Sequence, residues 1–150
     1  MTRILMVCLG NICRSPLAEG ILQFKVDYSK VQVDSAGMVD YHAGELPDKR
    51  SIQVASENLL DITNQRARHF EISDFDKYDL IYAMDKKNQL TLLELAPNEN
   101  TKNKVRLILD EVFPDEEKDV PDPYYDSVSA FRNVYKMLDE ACEIIANKLP

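Results

Sequence analysis

Three short apolar runs, Arg3–Cys8, Leu80–Met84 and Val105–Leu109, and one alternating segment, Val31–Ser35, each read as a strand. The stretches between and after them carry apolar residues at helical spacing. Strands alternating with helices imply parallel pairing, because each crossover returns the chain to the same end of the sheet. The expected fold is therefore α/β: a four-stranded parallel sheet with helices on both faces, three-layered and doubly wound. At 150 residues the chain suits one domain, spanning 1–150. Ligands of such sheets sit beyond the carboxyl ends of the strands, where the first run delivers Cys8.

In detail, Ser15-Pro16 reads as the cap and first residue of a helix over 16–28, with Leu17, Ile21, Phe24 and Tyr28 on one stripe. Ala36-Gly37 turns the second strand out of the sheet, and residues 38 to 50 look irregular. A helix then runs through Leu60, with Ile52, Ala55 and Leu59 as its inner face. Asp61 to Phe70 is a polar connector in which Arg66 and Arg68 suit surface ion pairs. Asp85 caps a helix carrying Leu90, Leu93 and Leu95, which Pro97-Asn98 ends. After the fourth strand, Asp110 to Asp122 is acidic and contains proline. The last helix begins near Val128, with Phe131, Val134, Tyr135, Leu138, Cys142, Ile145 and Leu149 on its apolar stripe.

The segment Val7-Cys-Leu-Gly-Asn-Ile-Cys-Arg-Ser-Pro16 joins the first strand to the first helix. Backbone N–H groups of such a loop, together with the positive end of the helix, favour an anion. Arg14 offers a planar fork that matches two phosphate oxygens, and a cysteine beneath the anion is favoured as thiolate by the same field. These parts describe a cysteine-dependent phosphatase loop. A buried strand cysteine followed by a surface arginine is the plainer alternative. A nucleotide-binding loop is disfavoured, because the lysine and second glycine of G-x-x-x-x-G-K-[ST] are missing.

A net charge of −8, from 18 basic and 26 acidic residues, argues against nucleic acid and anionic membrane surfaces as partners. A phosphorylated substrate must then be drawn by a local positive site. The first apolar run is too short for an export signal, and no stretch approaches a membrane span. Three cysteines do not suggest a disulfide framework, so a reducing, cytoplasmic setting is expected.

With these residues in hand, the chain resembles the low-molecular-weight protein tyrosine phosphatase family along nearly its whole length. The matching pieces are the 7–16 segment, Asp34-Ser-Ala-Gly37, Arg66-Ala-Arg68, Ala83-Met-Asp85 and Asp122-Pro-Tyr-Tyr125. The resemblance implies hydrolysis of phosphotyrosine on proteins or peptides, without metal or organic cofactor, by a monomer or weak dimer. It assigns Cys8 as nucleophile and Arg14 as the ligand of the phosphoryl oxygens. Ser15 would hydrogen-bond the Cys8 sulfur, and Asp122 would serve as general acid and then base. Leu9, Gly10, Asn11, Ile12 and Cys13 would bind phosphate as the loop, with Asn11 holding its shape and Ser35 as partner. Ile12, Tyr41, Tyr124 and Tyr125 would wall the cleft for the substrate ring. Cys13 would trap an oxidised Cys8 as a disulfide.

Taken singly, several of these residues have plainer readings. Asp122 suits a turn before Pro123, Tyr124 and Tyr125 suit packing, and Cys13 could be a spectator thiol. Cys142 reads as core, and His42 and His69 as surface or packing residues. Against the family pattern, Met38 stands where threonine is frequent, Tyr41 for tryptophan, Asn64 for histidine and Asp126 for glycine. An arsenate reductase on the same fold would need two further relay thiols, and only Cys142 lies downstream. An arginine phosphatase of the family would carry threonine at Ile12. A silent phosphotyrosine-binding module would lack the nucleophile or the acid.

Overall fold

A computed structural model describes residues 1–150. The chain runs β1 (Thr2–Cys8), α1 (Arg14–Lys25), β2 (Val31–Gly37), α2 (Lys49–Glu57), α3 (Asp74–Lys77), β3 (Leu80–Ala83), α4 (Lys86–Leu95), α5 (Glu99–Lys102), β4 (Val105–Leu107) and α6 (Val128–Asn147). A short 3₁₀ turn, Ile108–Glu111, follows β4. All strand pairs are parallel, in the order β2-β1-β3-β4. The chain thus winds outward from β1 to β2, then crosses back over β1 to β3. Its topological switch lies between β1 and β3, and Cys8 ends β1 at that point.

β1 is central and buried on both faces, so its period-two alternation feeds two cores. Ile4, Met6 and Cys8 face α1, α2 and α6, where Leu17, Ile21, Val54, Phe131, Leu138 and Cys142 pack with them. Leu5 and Val7 face the opposite side, with Phe70, Phe75 of α3, Ile81 of β3 and Leu92 of α4. Helices therefore cover both faces, and the three-layer α/β expectation holds. The stripe of α6 is buried at Phe131, Val134, Tyr135, Leu138, Cys142 and Ile145, with Ala141 added; Leu149 lies past the helix end and is partly buried. No helix is long and apolar enough to cross a membrane.

Several local expectations are corrected. Helix α1 begins at Arg14 with Cys13 in the cap position, so Ser15 is inside the first turn, where its hydroxyl is engaged by other side chains. The helix ends at Lys25; Phe24 and Tyr28 are exposed, and the buried stripe is Leu17, Ala18, Ile21 and Leu22. The chain leaves through a turn closed by the Asp27 carboxylate, which accepts from Ser29 N–H and Oγ. Along α4 it is Leu92 that is buried, while Leu90 and Leu95 are exposed. Strand β4 stops at Leu107, and Ile108–Leu109 pack from the 3₁₀ turn. Arg68 does form an ion pair, with the buried Asp74 at 3.0 Å, whereas Arg66 bonds the carbonyls of Thr63 and Gln65.

Leu59 is the plainest reversal, being 92% exposed rather than on an inner face. Helix α2 ends at Glu57, and Leu59 adopts a left-handed φ of +63°. Its N–H donates to Ser56 O at 3.0 Å and the Leu60 N–H to Ala55 O at 2.9 Å, the crossed pair of a Schellman cap. Glycine usually fills that position, and its absence hid the helix end from the sequence. Replacing Leu59 by Gly removes the left-handed penalty at a site with no packing to lose. The expected gain is about 0.5–1 kcal/mol in urea unfolding; a loss would show that the cap tolerates Leu without strain.

Candidate functional site

The loop from Cys8 to Arg14 turns back on itself because Asn11 occupies the left-handed region at φ +59°, which Asn tolerates better than most residues. Gly37, paired with Cys8 across β1 and β2, lies against the loop: a Cβ there would stand 3.0 Å from Leu9 O and 3.1 Å from Asn11 N. From Leu9 to Ser15 no backbone N–H donates to a protein acceptor, although Asn11 to Ser15 are buried. Buried N–H groups seldom go unpaired, and a concave run of them is an anion-binding nest. The first turn of α1 adds its positive end, since Cys13 makes no side-chain cap.

The side chains of the loop form one directed network. Asn11 Oδ1 accepts from the Arg68 N–H at 3.0 Å, which turns both Nδ2 protons toward hydroxyls: Ser15 Oγ at 2.7 Å and Ser35 Oγ at 2.9 Å. Each serine, now an acceptor, has its own proton free to point outward. Ser15 Oγ lies 3.0 Å from Cys8 Sγ, and Ser35 donates to Glu19 Oε1 at 2.7 Å. The Asn11–Ser35 and Ser15–Cys8 pairings expected from the sequence are therefore brought together, with Glu19 as an unforeseen end of the chain. Its position on the Ser15, Ala18, Leu22 side of α1 was the signal available.

Arg14 is 2% exposed, and its NH1 donates to Asp85 Oδ2 at 2.7 Å and Val120 O at 2.8 Å. Its NH2 lies 3.8 Å from Asp122 Oδ2. Burial works against the guanidinium charge, but Cys8, Asp85 and Asp122 outweigh it and hold the pKa above its ordinary value. Asp85 is the expected cap of α4, accepting from Asn88 N–H at 2.8 Å; that its second oxygen holds Arg14 was not legible from cap spacing.

Above Cys8 and Arg14 opens a cleft of about 280 Å³. Leu9, Gly10, Ile12 and Cys13 line its base, and Tyr41, Tyr124, Tyr125 and Asp122 its walls. Val39 and His42 join them, and no motif in the sequence marks either as a cleft residue. The surface or packing role expected of His42 is a packing one beside the cleft: its Nδ1 is 3.0 Å from Glu45 Oε2, and its ring lies against Gly10. Met38 is partly buried in the core beyond β1, away from the cleft lining, and Asn64 is exposed. Cys8 and Cys13 are both free and buried, and burial, followed by the Asp48 charge, pushes the Cys13 thiol well up. Cys142 is enclosed in the core. No group of three or more His, Cys, Asp or Glu side chains is arranged to hold a metal ion.

Burial raises the Glu19 carboxyl from 4.5 to about 7; the Asp34 charge adds to the rise, while the Ser35 hydrogen bond and Arg68 oppose it. Between those values the folded protein keeps a proton that the unfolded chain has lost. Stability therefore falls as pH rises toward and through about 7, and is unaffected by this group below the ordinary carboxyl range. Glu19→Gln keeps an acceptor for Ser35 and removes the ionisation. Its stability relative to the native chain should increase by roughly 2 kcal/mol between about pH 5 and pH 8 in urea unfolding; a constant difference would assign Glu19 an ordinary titration.

Comparison with known proteins extends the resemblance over the whole fold. The family described as low molecular weight phosphotyrosine protein phosphatase matches residues 3–150. A low molecular weight phosphotyrosine protein phosphatase of Drosophila melanogaster is 37% identical over 144 residues, covering 93% of this chain and 87% of its own. A protein tyrosine phosphatase from Entamoeba histolytica, solved with Hepes in the active site, superposes with a TM-score of 0.92 at 36% identity, covering 99% of this chain and 96% of the other. Wzb of Vibrio vulnificus, in complex with benzylphosphonate, gives 0.89 at 35% identity and covers 99% of both chains.

Proposed function

The chain belongs to the low molecular weight phosphotyrosine protein phosphatase family and is a hydrolase of that class, and we propose that it removes phosphate from phosphotyrosine through a cysteinyl-phosphate on Cys8. The observation that carries the reading is the position of Cys8 Sγ, 3.0 Å from a serine hydroxyl, at the base of a cleft shared with the unpaired N–H loop, Arg14 and Asp122.

The Cys8 thiolate attacks phosphorus in line with the phenolic oxygen. Loop N–H groups and the Arg14 fork hold the three equatorial oxygens, over which charge is spread in the transition state. Phenolate is a poor leaving group, so Asp122 protonates the oxygen as the bond breaks. In the second half the same carboxylate takes a proton from water, the water oxygen attacks phosphorus, and Cys8 departs as thiolate with the Ser15 hydroxyl donating to it. Arg14 ties the halves together, because its NH2 is within 3.8 Å of Asp122 while its other arm is anchored on Asp85.

An aromatic substrate is supported by the walls. Ile12 presents an apolar side chain where a guanidinium ligand would want a hydroxyl, and Tyr41, Tyr124 and Tyr125 surround the mouth. The Tyr124 and Tyr125 rings meet edge to face at 4.9 Å, leaving Tyr125 95% exposed to an incoming peptide. The benzyl ring on the phosphonate bound by the Vibrio vulnificus relative is of the same chemical kind. Cys13, free and in the same cleft lining, suits a redox partner: a peroxide oxidises the Cys8 thiolate to a sulfenic acid, the Cys13 sulfur displaces its hydroxyl as water, and a thiol reductant reopens the resulting disulfide.

Hydrolysis of p-nitrophenyl phosphate without added metal, and its disappearance in Cys8→Ser, is the primary test; binding of phosphopeptide with no turnover by the native protein would instead favour a recognition module. Arg14→Ala should lower kcat/KM by on the order of a thousandfold. Asp122→Asn should slow phenyl phosphate about a hundredfold and p-nitrophenyl phosphate far less. Equal losses on both would remove Asp122 from the acid role.

A further inference from the structure

Residues 122–126 carry the candidate acid and two wall tyrosines, yet only two hydrogen bonds reach them from elsewhere in the chain. Both come from Arg50: NH2 donates to Tyr124 O at 2.8 Å and NH1 to Asp126 O at 2.7 Å. The segment's other hydrogen bonds are internal, from Tyr124 N–H to Asp122 Oδ1 at 3.2 Å and from Asp126 N–H to Pro123 O at 2.9 Å.

The far side of the same guanidinium is locked. Asp48 Oδ1 accepts from Arg50 N–H at 2.8 Å and Nε at 3.0 Å, and Oδ2 accepts from NH2 at 2.9 Å. The plane lies over the Phe131 ring, 4.3 Å from its centroid, and 5.9 Å from that of Tyr124. Asp48 in turn is bonded to the phosphate loop: its N–H donates to Ile12 O at 2.7 Å, and Ser51 Oγ donates to Cys13 O at 3.1 Å. The first turn of α2 therefore holds the nucleophile's loop with its backbone and the acid's segment with Arg50.

We propose that Arg50 is a positioning residue for leaving-group protonation, setting the place of Asp122 and Tyr124 relative to the Cys8 loop from outside the cleft. The inference rests on Asp122 being the general acid. A fork with donors on three nitrogens is required, because two carbonyls and a carboxylate are held at once. Lysine, a point charge on a flexible stem, cannot reproduce that pattern. Asp48 shares the role, since its carboxylate fixes the plane of the fork.

The test is kcat/KM against leaving-group pKa for a series of aryl phosphates, from p-nitrophenyl to phenyl phosphate, in the native protein, Arg50→Lys and Asp122→Asn. Asp48→Asn serves as a second variant, keeping the helix cap while loosening the fork. Arg50→Lys should cost about tenfold on phenyl phosphate and about twofold or less on p-nitrophenyl phosphate, steepening the dependence. Asp48→Asn should steepen it in the same direction, and Arg50→Lys should steepen it no further in an Asp122→Asn background. A uniform loss across the series in both variants, with Asp122→Asn steepening the slope, would overturn the role of Arg50 and leave the acid assignment standing. An unchanged slope in Asp122→Asn would overturn the acid assignment itself, and the inference with it.

Discussion

The carboxamide of Asn11 is the constraint on which the site depends. Its backbone lies in the left-handed region, so the loop can reverse within a few residues and turn its N–H groups inward. Its oxygen is claimed by the Arg68 N–H, which orients the amide and presents both remaining protons to Ser15 and Ser35. One polar group thus decides the loop's shape and the direction of every hydroxyl beneath it. An aspartate in its place would have acceptors only, and the two serines would lose their shared donor.

Electrostatically, the molecule solves a local problem against its own net charge of −8. The positive field at the proposed site comes from one buried guanidinium, a helix end and unpaired N–H groups, all within Leu9–Ser15. Burial keeps these contributions strong, because little solvent screens them. Asp85 anchors Arg14 without enclosing it, as only NH1 is engaged by Asp85 and Val120. The second arm stays directed at the cleft and at Asp122.

Much of the fold was legible because the two central strands read as continuous apolar runs, the edge strand β2 alternates, and crossovers of parallel strands must contain helices. The Cys8–Pro16 segment was legible for another reason: its chemistry is contiguous in sequence. What was hidden depends on contacts between distant residues or on exceptions to local preference. Leu59 sits where glycine normally ends a helix, Phe24 faces outward from a helix that stops early, and α3 and α5 are too short to show periodicity. Helical spacing alone does not separate Glu19 and Arg50 from the other charges on α1 and α2. Their significance lies in Ser35 and in the Tyr124 and Asp126 carbonyls, which only the folded chain brings to them.

The Cys8 sulfur and the walls of the cleft hang from different parts of the molecule. Cys8 ends the central strand, which is paired on both sides, while Val39, Tyr41 and His42 come from the irregular stretch after β2 and Tyr124 and Tyr125 from the segment before α6. Changing the exposed side chains of either stretch alters the shape of the mouth while leaving in place the bonds from Met38 N–H to Cys8 O and from Val39 N–H to Leu9 O. The scaffold is thus modular with respect to evolution: new recognition surfaces can be tried at the exposed positions of two loops while Cys8, Arg14 and Asp122 are inherited.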